Sequence, residues 1–213
     1  MKGLSLVAAA IAVLGGCHPG VSPQVLQQYQ SRTLFTCCNI HYESNDINDA
    51  NYYVGSTVPA GTSVTVQTMR GDSVTFLAGS TQLKLEQRYG NKQESFQQYL
   101  DKIFVTEDPR QRLAGYPQAV QAAIRDGRVE RGMTREQVLM SIGYPPAHRT
   151  ASLNDSEWTY WYNRWVTYKV QFGPDGRVAS VIGRPAPTQD QPIPAEEAKP
   201  KAAPKPPASK KKR

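Results

Sequence analysis

The order of caps, glycines and aromatic residues between Met133 and Ile182 leaves few ways to fold. Thr134 stands where a helix N-cap is needed, and Gln137, three residues on, completes a capping box. Met133 before the cap and Val138 at the fourth helical position make the pairing of a hydrophobic staple. Gly143 supplies a left-handed exit and Pro145-Pro146 forbids continuation, so Val138 and Ile142 mark the buried face of a short helix. The period then changes to two. Trp158, Tyr160 and Tyr162 share one face, with Thr159 and Trp161 on the other. Across a turn at Asn163-Arg164, Val166, Tyr168, Val170 and Phe172 alternate with Trp165, Thr167, Lys169 and Gln171. Gly173-Pro174-Asp175-Gly176 reverses the chain, and residues 178–182 return as a third antiparallel strand. Upstream, Pro117 opens a further helix with Val120, Ala123 and Ile124 inward, and Gly127 stops it.

The chain before this stretch reads as a separate small β unit with a following helix, residues 33–105. Residues 34–42 have strand composition, residues 43–51 loop out, and Tyr52-Tyr53-Val54 reads as a second strand. Val58 to Thr62 is a turn. Three alternating segments follow, marked by Val64 and Val66, Val74 and Phe76, and Leu83 and Leu85. Their short length and close turns suggest an SH3-like barrel or sandwich. Arg70-Gly71-Asp72 spells an adhesive triplet, but it falls where a hairpin turn is needed. Phe96, Tyr99, Leu100, Ile103 and Phe104 then form one helical stripe behind a possible Ser95 cap, as expected of a helix packing on the β unit.

The N-terminus addresses location. Lys2 precedes an apolar run, Leu4 to Leu14, that falls short of the ~20 residues a membrane-spanning helix needs. Leu14-Gly15-Gly16-Cys17 resembles the bacterial lipobox. That resemblance implies a signal peptide over residues 1–16 and a lipid-bearing, palmitate-type anchor on Cys17. His18 rather than Asp follows the cysteine, which points to the outer membrane, with the protein facing the periplasm. Residues 17–32, rich in Gln, Ser, Pro and Gly, read as a tether with at most a helical turn near Val25-Leu26. Cys37 and Cys38 are the remaining cysteines, in a chain expected in an oxidising compartment. A strained vicinal disulfide, an intermolecular bridge and two free thiols all stay open.

The formal charge of +7 is unevenly placed. Residues 185–213 carry seven basic and three acidic side chains, against 17 basic and 15 acidic in residues 3–184. A near-neutral fold argues against nucleic acid as a partner. The Pro-, Ala- and Lys-rich tail cannot bury a core and reads as disordered. Its end, Lys210, Lys211, Lys212 and Arg213, is a candidate for anionic surfaces such as phosphate-bearing lipopolysaccharide or peptidoglycan. His18, His41 and His148 are scattered, and no catalytic or phosphate-binding motif accompanies them, so no enzyme is expected. Asp46-Ile47-Asn48-Asp49 lacks the glycine and glutamate that a calcium loop requires, so no metal site is expected.

Gly132-Met133-Thr134-Arg135-Glu136-Gln137-Val138, Ile142-Gly143-Tyr144-Pro145, Trp158-Thr159-Tyr160, Val170-Gln171-Phe172 and Asp175-Gly176-Arg177-Val178 together resemble the SmpA/OmlA (BamE-like) family of outer-membrane lipoproteins. The likeness covers residues 118–182, within a segment 106–184. It implies an α+β chain whose C-terminal α-α-β-β-β domain follows the SH3-like unit, with a scaffolding role in outer-membrane protein assembly and no cofactor beyond the lipid. Trp161 and Trp165, placed by alternation opposite the helix-packed face, are the candidate partner-binding residues. The alternative is an envelope-polymer binder that holds peptidoglycan or lipopolysaccharide through the β unit and the basic tail.

Overall fold

A computed structural model describes residues 22–184, and the chain is α+β with a curled sheet. Cys17 and the basic end Lys210–Arg213 lie outside the described residues. The first element corrects the expectation of a tether through residue 32. Pro23–Gln30 is a helix, α1, with Ser22 as N-cap and Pro23 in the first turn. Its Tyr29 is buried in the first core, and the hydroxyl donates to Asp101 Oδ1 at 2.7 Å. Polar composition concealed one anchoring aromatic.

Strands β1 (Leu34–Thr36), β2 (Ile40–Tyr42), β3 (Asp46–Asn48), β4 (Ser56–Val58), β5 (Ser63–Arg70), β6 (Ser73–Ala78) and β7 (Thr81–Glu86) follow, then helix α2 (Phe96–Ile103) and strand β8 (Phe104–Val105). A six-stranded sheet runs β3-β7-β6-β5-β1-β8, and β2 pairs with β4 apart from it. Only β3 runs parallel to its neighbour, β7. The alternation of Val64 and Val66 into the core cannot continue at Thr68 without burying a hydroxyl. A register shift in β5 between Val66 and Thr68 brings Met69 inward instead. Helix α2 forms behind the expected cap, with a complete Ser95–Gln98 capping box, and buries Phe96, Tyr99, Leu100 and Ile103 on the sheet.

Two expectations in this half give way. The continuous strand over residues 34–42 is broken at Cys37-Cys38-Asn39, where the two cysteines form a vicinal disulfide and the Asn39 side chain turns into the other half. Tyr52-Tyr53-Val54 is no strand of the larger sheet. Its Tyr53 and Val54 amides donate to the Trp161 and Tyr162 carbonyls, each at 3.1 Å.

The second half comprises α3 (Arg110–Ala114), which sequence reading missed, α4 (Gln118–Arg125), α5 (Arg135–Ile142) and the meander β9 (Glu157–Trp161), β10 (Thr167–Phe172) and β11 (Val178–Ile182), in sheet order β11-β10-β9. The Thr134–Gln137 capping box forms as expected, and Met133 and Val138 are both buried. Trp158, Tyr160, Tyr168, Val170 and Phe172 fill the second core against Ala123, Ile124, Val138 and Ile142. Trp158 meets Phe172 edge-on at 4.6 Å, and Tyr160 stacks on its register partner Tyr168 at 5.5 Å.

The halves are joined by polar groups at the end of α5. A helix leaves its last four carbonyls unpaired. Here Leu139 receives the Gly143 amide at 2.8 Å, and Met140 receives the Asn39 amide at 3.1 Å. Ser141 accepts from Asn39 Nδ2 at 2.9 Å, and Ile142 from Asn51 Nδ2 at 2.8 Å. Asn39 Nδ2 also donates to the Ile124 carbonyl near the end of α4 at 2.6 Å, while its Oδ1 accepts the Ala60 amide at 3.0 Å. Gly143 has φ +76°, and a Cβ there would collide with the Asn51 amide. The residues that cap α5 thus also require a glycine after it.

Replacing Asn39 with Ala strands the Ser141 carbonyl and the Ala60 amide in a buried place and leaves the Ile124 carbonyl only the Gly127 amide. It should cost about 3 kcal/mol, against ~1 kcal/mol for Thr134→Ala. Urea unfolding should show a single transition that shifts as a whole in Asn39→Ala. Separate transitions for the two halves would contradict the junction's importance.

Candidate functional site

Sequence reading placed Trp161 and Trp165 together on one sheet face, and the structure separates them. Trp161 ends β9 and is half-buried, with the Tyr52 ring edge-on at 6.5 Å and the Arg149 guanidinium 5.2 Å over its own ring. Trp165 is not in β10. The turn is wider than two residues: Asn163 Oδ1 accepts the amides of Trp165 and Val166, and the Trp165 side chain stands 82% exposed at the hairpin tip. The rest of the outward face is polar, because Lys169 pairs with Glu157 at 2.6 Å, Gln171 donates to Glu157 and Ser180 donates to Gln171.

Trp161 instead forms one wall of a cleft of about 150 Å³ lined by Ala50, Tyr52, Tyr89, His148, Trp161 and Arg164. The lining comes from both halves. Asp49 builds the first wall. Its carboxylate is buried and accepts the amides of Arg88, Tyr89 and Gly90 at 2.6 to 3.1 Å, which fixes the Tyr89 backbone beside Ala50 and Tyr52. The Tyr52 and Tyr89 hydroxyls lie 3.5 Å apart. Burial, then that contact, pushes the Tyr52 hydroxyl up to about 12, so it stays a neutral donor and acceptor. The Pro145-Pro146 segment leads into the other wall, where His148 lies 5.5 Å from Tyr89 and burial holds its imidazole below the usual histidine range.

Two polar atoms of this lining, Trp161 Nε1 and His148 Nδ1, are buried without a hydrogen-bond partner. Among the described residues, neither Arg149 nor Arg164 has an acidic partner; the ion pairs lie elsewhere. The cleft therefore presents aromatic walls, an excess of donors and unpaired positive charge. Tyr52, Tyr89, His148, Arg149 and Arg164 were missed in the sequence because they lie on three separated segments. The available signal was the interleaving of basic and aromatic residues from His148 to Trp165.

His41 belongs to the junction and not to the cleft. Its ring packs by Tyr53 at 5.2 Å, Thr57 Oγ1 lies 3.1 Å from Nδ1, and Nε2 has no partner. Asp49, at the end of the Asp46-Ile47-Asn48-Asp49 segment, is consumed by backbone amides, and no group of three metal-binding side chains occurs among the described residues. No helix among them is long and apolar enough to cross a membrane.

Comparison of the whole chain with protein-family models, with characterised proteins and with solved structures yields no significant match.

Burial, then the nearby Arg184 charge, lowers the His41 pKa to about 4. A base depressed in the fold is neutral in both states above the unfolded value of 6.5, so it is indifferent there. As pH falls from 6.5 toward 4, only the unfolded chain gains the proton, and stability is lost, by up to about 3 kcal/mol. His41→Gln should flatten that part of the curve in urea unfolding measured from pH 7 to pH 4. An unchanged slope would count against it.

Proposed function

We propose that this chain is a non-catalytic lipoprotein of the SmpA/OmlA (BamE-like) type, anchored by lipid on Cys17 in the outer membrane and facing the periplasm. In this reading it is a scaffold or accessory subunit for outer-membrane protein assembly or envelope integrity. The helix pair followed by a three-stranded meander is consistent with the BamE-like arrangement, and the curled sheet before it with an SH3-like unit. The observation that carries the scaffolding role is Trp165. A large aromatic held 82% exposed by an ordered turn stabilises nothing inside the protein and is the kind of group that anchors an interface. The partner-binding role accordingly rests on Trp165 at the hairpin tip, with Trp161 serving the cleft beside it. The basic end, Lys210 to Arg213, would add salt-sensitive attraction to anionic envelope surfaces.

Two measurements test this. Cys17→Ala should abolish incorporation of labelled palmitate and release the protein from membranes; continued labelling would remove the anchor. Affinity purification from solubilised membranes should recover a β-barrel assembly subunit or an outer-membrane protein with the parent chain. Trp165→Ala should lose that partner at least tenfold while its unfolding midpoint stays unchanged, since little buried area is removed. Equal recovery by the variant would refute the role of the hairpin tip.

A further inference from the structure

The cleft between the two halves makes chemical demands that a scaffold surface does not. Its charge is positive, through Arg164 in the lining and Arg149 on the Trp161 ring. The one carboxylate nearby, Asp49, is already saturated by three backbone amides and offers a ligand nothing. The remaining polar groups are mostly donors: two guanidinium groups and the unpartnered Trp161 indole N–H, with His148 Nδ1 and the Tyr52 and Tyr89 hydroxyls able to act either way. A ligand that fits must therefore be rich in acceptors and carry negative charge.

Shape narrows the class further. About 150 Å³ is well below the several hundred Å³ typical of pockets for drug-sized molecules, and admits one ring but no helix or folded segment. The walls are not parallel, with Tyr52 edge-on to Trp161 at 83° and Tyr89 tilted 37° to His148. Such walls accept a ring with an apolar face and a polar rim. A nucleotide would meet the same demands, but the near-neutral fold and the expected export of the chain disfavour it.

We propose that the cleft of Tyr52, Tyr89, His148, Trp161 and Arg164, with Arg149 at its side, binds an anionic sugar: one pyranose ring bearing a carboxylate or a phosphate. The ring lies against the aromatic walls beside the Trp161 indole, the anion faces Arg149 and Arg164, and the sugar hydroxyls bond the Tyr52 and Tyr89 hydroxyls. The choice of a sugar over other anionic rings rests on the envelope location proposed above; the existence of an anion-binding cleft does not. A ring-borne carboxylate is offered by muramic acid of peptidoglycan where the stem peptide is absent, and a ring-borne phosphate by lipopolysaccharide, so the two sources share the required chemistry.

The full chain, labelled with nitrogen-15 for detection of indole N–H signals, is titrated separately with peptide-free glycan fragments ending in N-acetylmuramic acid, with deacylated phosphorylated lipopolysaccharide core, and with a neutral chito-oligosaccharide. The Trp161 indole signal should move with at least one anionic probe and not with the neutral one. Which probe moves it assigns the source. Arg149→Gln with Arg164→Gln should weaken that binding about tenfold or more, because two charge-assisted contacts are lost from exposed side chains that leave the cores untouched. Trp165→Ala should bind the sugar as the parent does, so loss of protein capture and loss of sugar binding are separate results. No movement with either anionic probe at millimolar concentration, equal binding of the neutral sugar, or affinity unaltered in the double arginine variant would each overturn the proposal.

Discussion

The end of helix α5 is the constraint on which the rest depends. Four carbonyls emerge there away from water, and the helix hairpin itself serves only the first, through the Gly143 amide. Asn39 and Asn51 supply three of the four donors from about 90 to 100 residues upstream. A buried carbonyl left unpaired costs on the order of 1–3 kcal/mol, so three together approach a large share of a domain's net stability. The first half is thus part of what makes the second half stable. The Asn39 side chain uses both protons and its oxygen at once, on α4, α5 and the Ala60 amide, which leaves no freedom to swivel one half against the other.

Local signals were legible in the sequence and distant ones were not. The Thr134–Gln137 and Ser95–Gln98 boxes, the α2 stripe and the aromatic alternation of β9 and β10 are written within a few residues of where they act. The Asn39 contacts cannot be read that way. An asparagine in a strand-like run looks like a defect in β propensity until the carbonyls it serves are in view. The break in the 34–42 strand has the same origin. For α1, buried Tyr29, with Val25 and Leu26 half-buried against the same core, outweighed a composition whose other five residues are Pro and Gln. Trp165 was misplaced because alternation was carried through a connection of five residues, 162–166, where two were assumed, and period-two reasoning fails once register is lost. The cleft was illegible because Tyr52, Tyr89, His148 and Trp161 share no local pattern.

The cleft and the junction are two results of the same docking. Tyr53 and Val54 add themselves to β9, and this is what sets Tyr52 edge-on to Trp161; Asp49, three residues before, fixes the backbone of Tyr89. A binding site made at the seam of two units is positioned by every contact along that seam. The same seam separates two roles that the sequence had assigned to one sheet face, with Trp161 facing inward to the cleft and Trp165 outward at the tip.

The pairing of Tyr53 and Val54 with β9 also bears on how copies of this chain can meet. A three-stranded sheet ordinarily has two open edges, which is enough for strand-by-strand growth without end. Here the end of one edge, at Trp161 and Tyr162, is met from within the molecule by Tyr53 and Val54, and the start of the other by Gly132 and Met133 at Val178. A second copy therefore cannot extend this sheet at the end of β9 without first displacing Tyr53 and Val54.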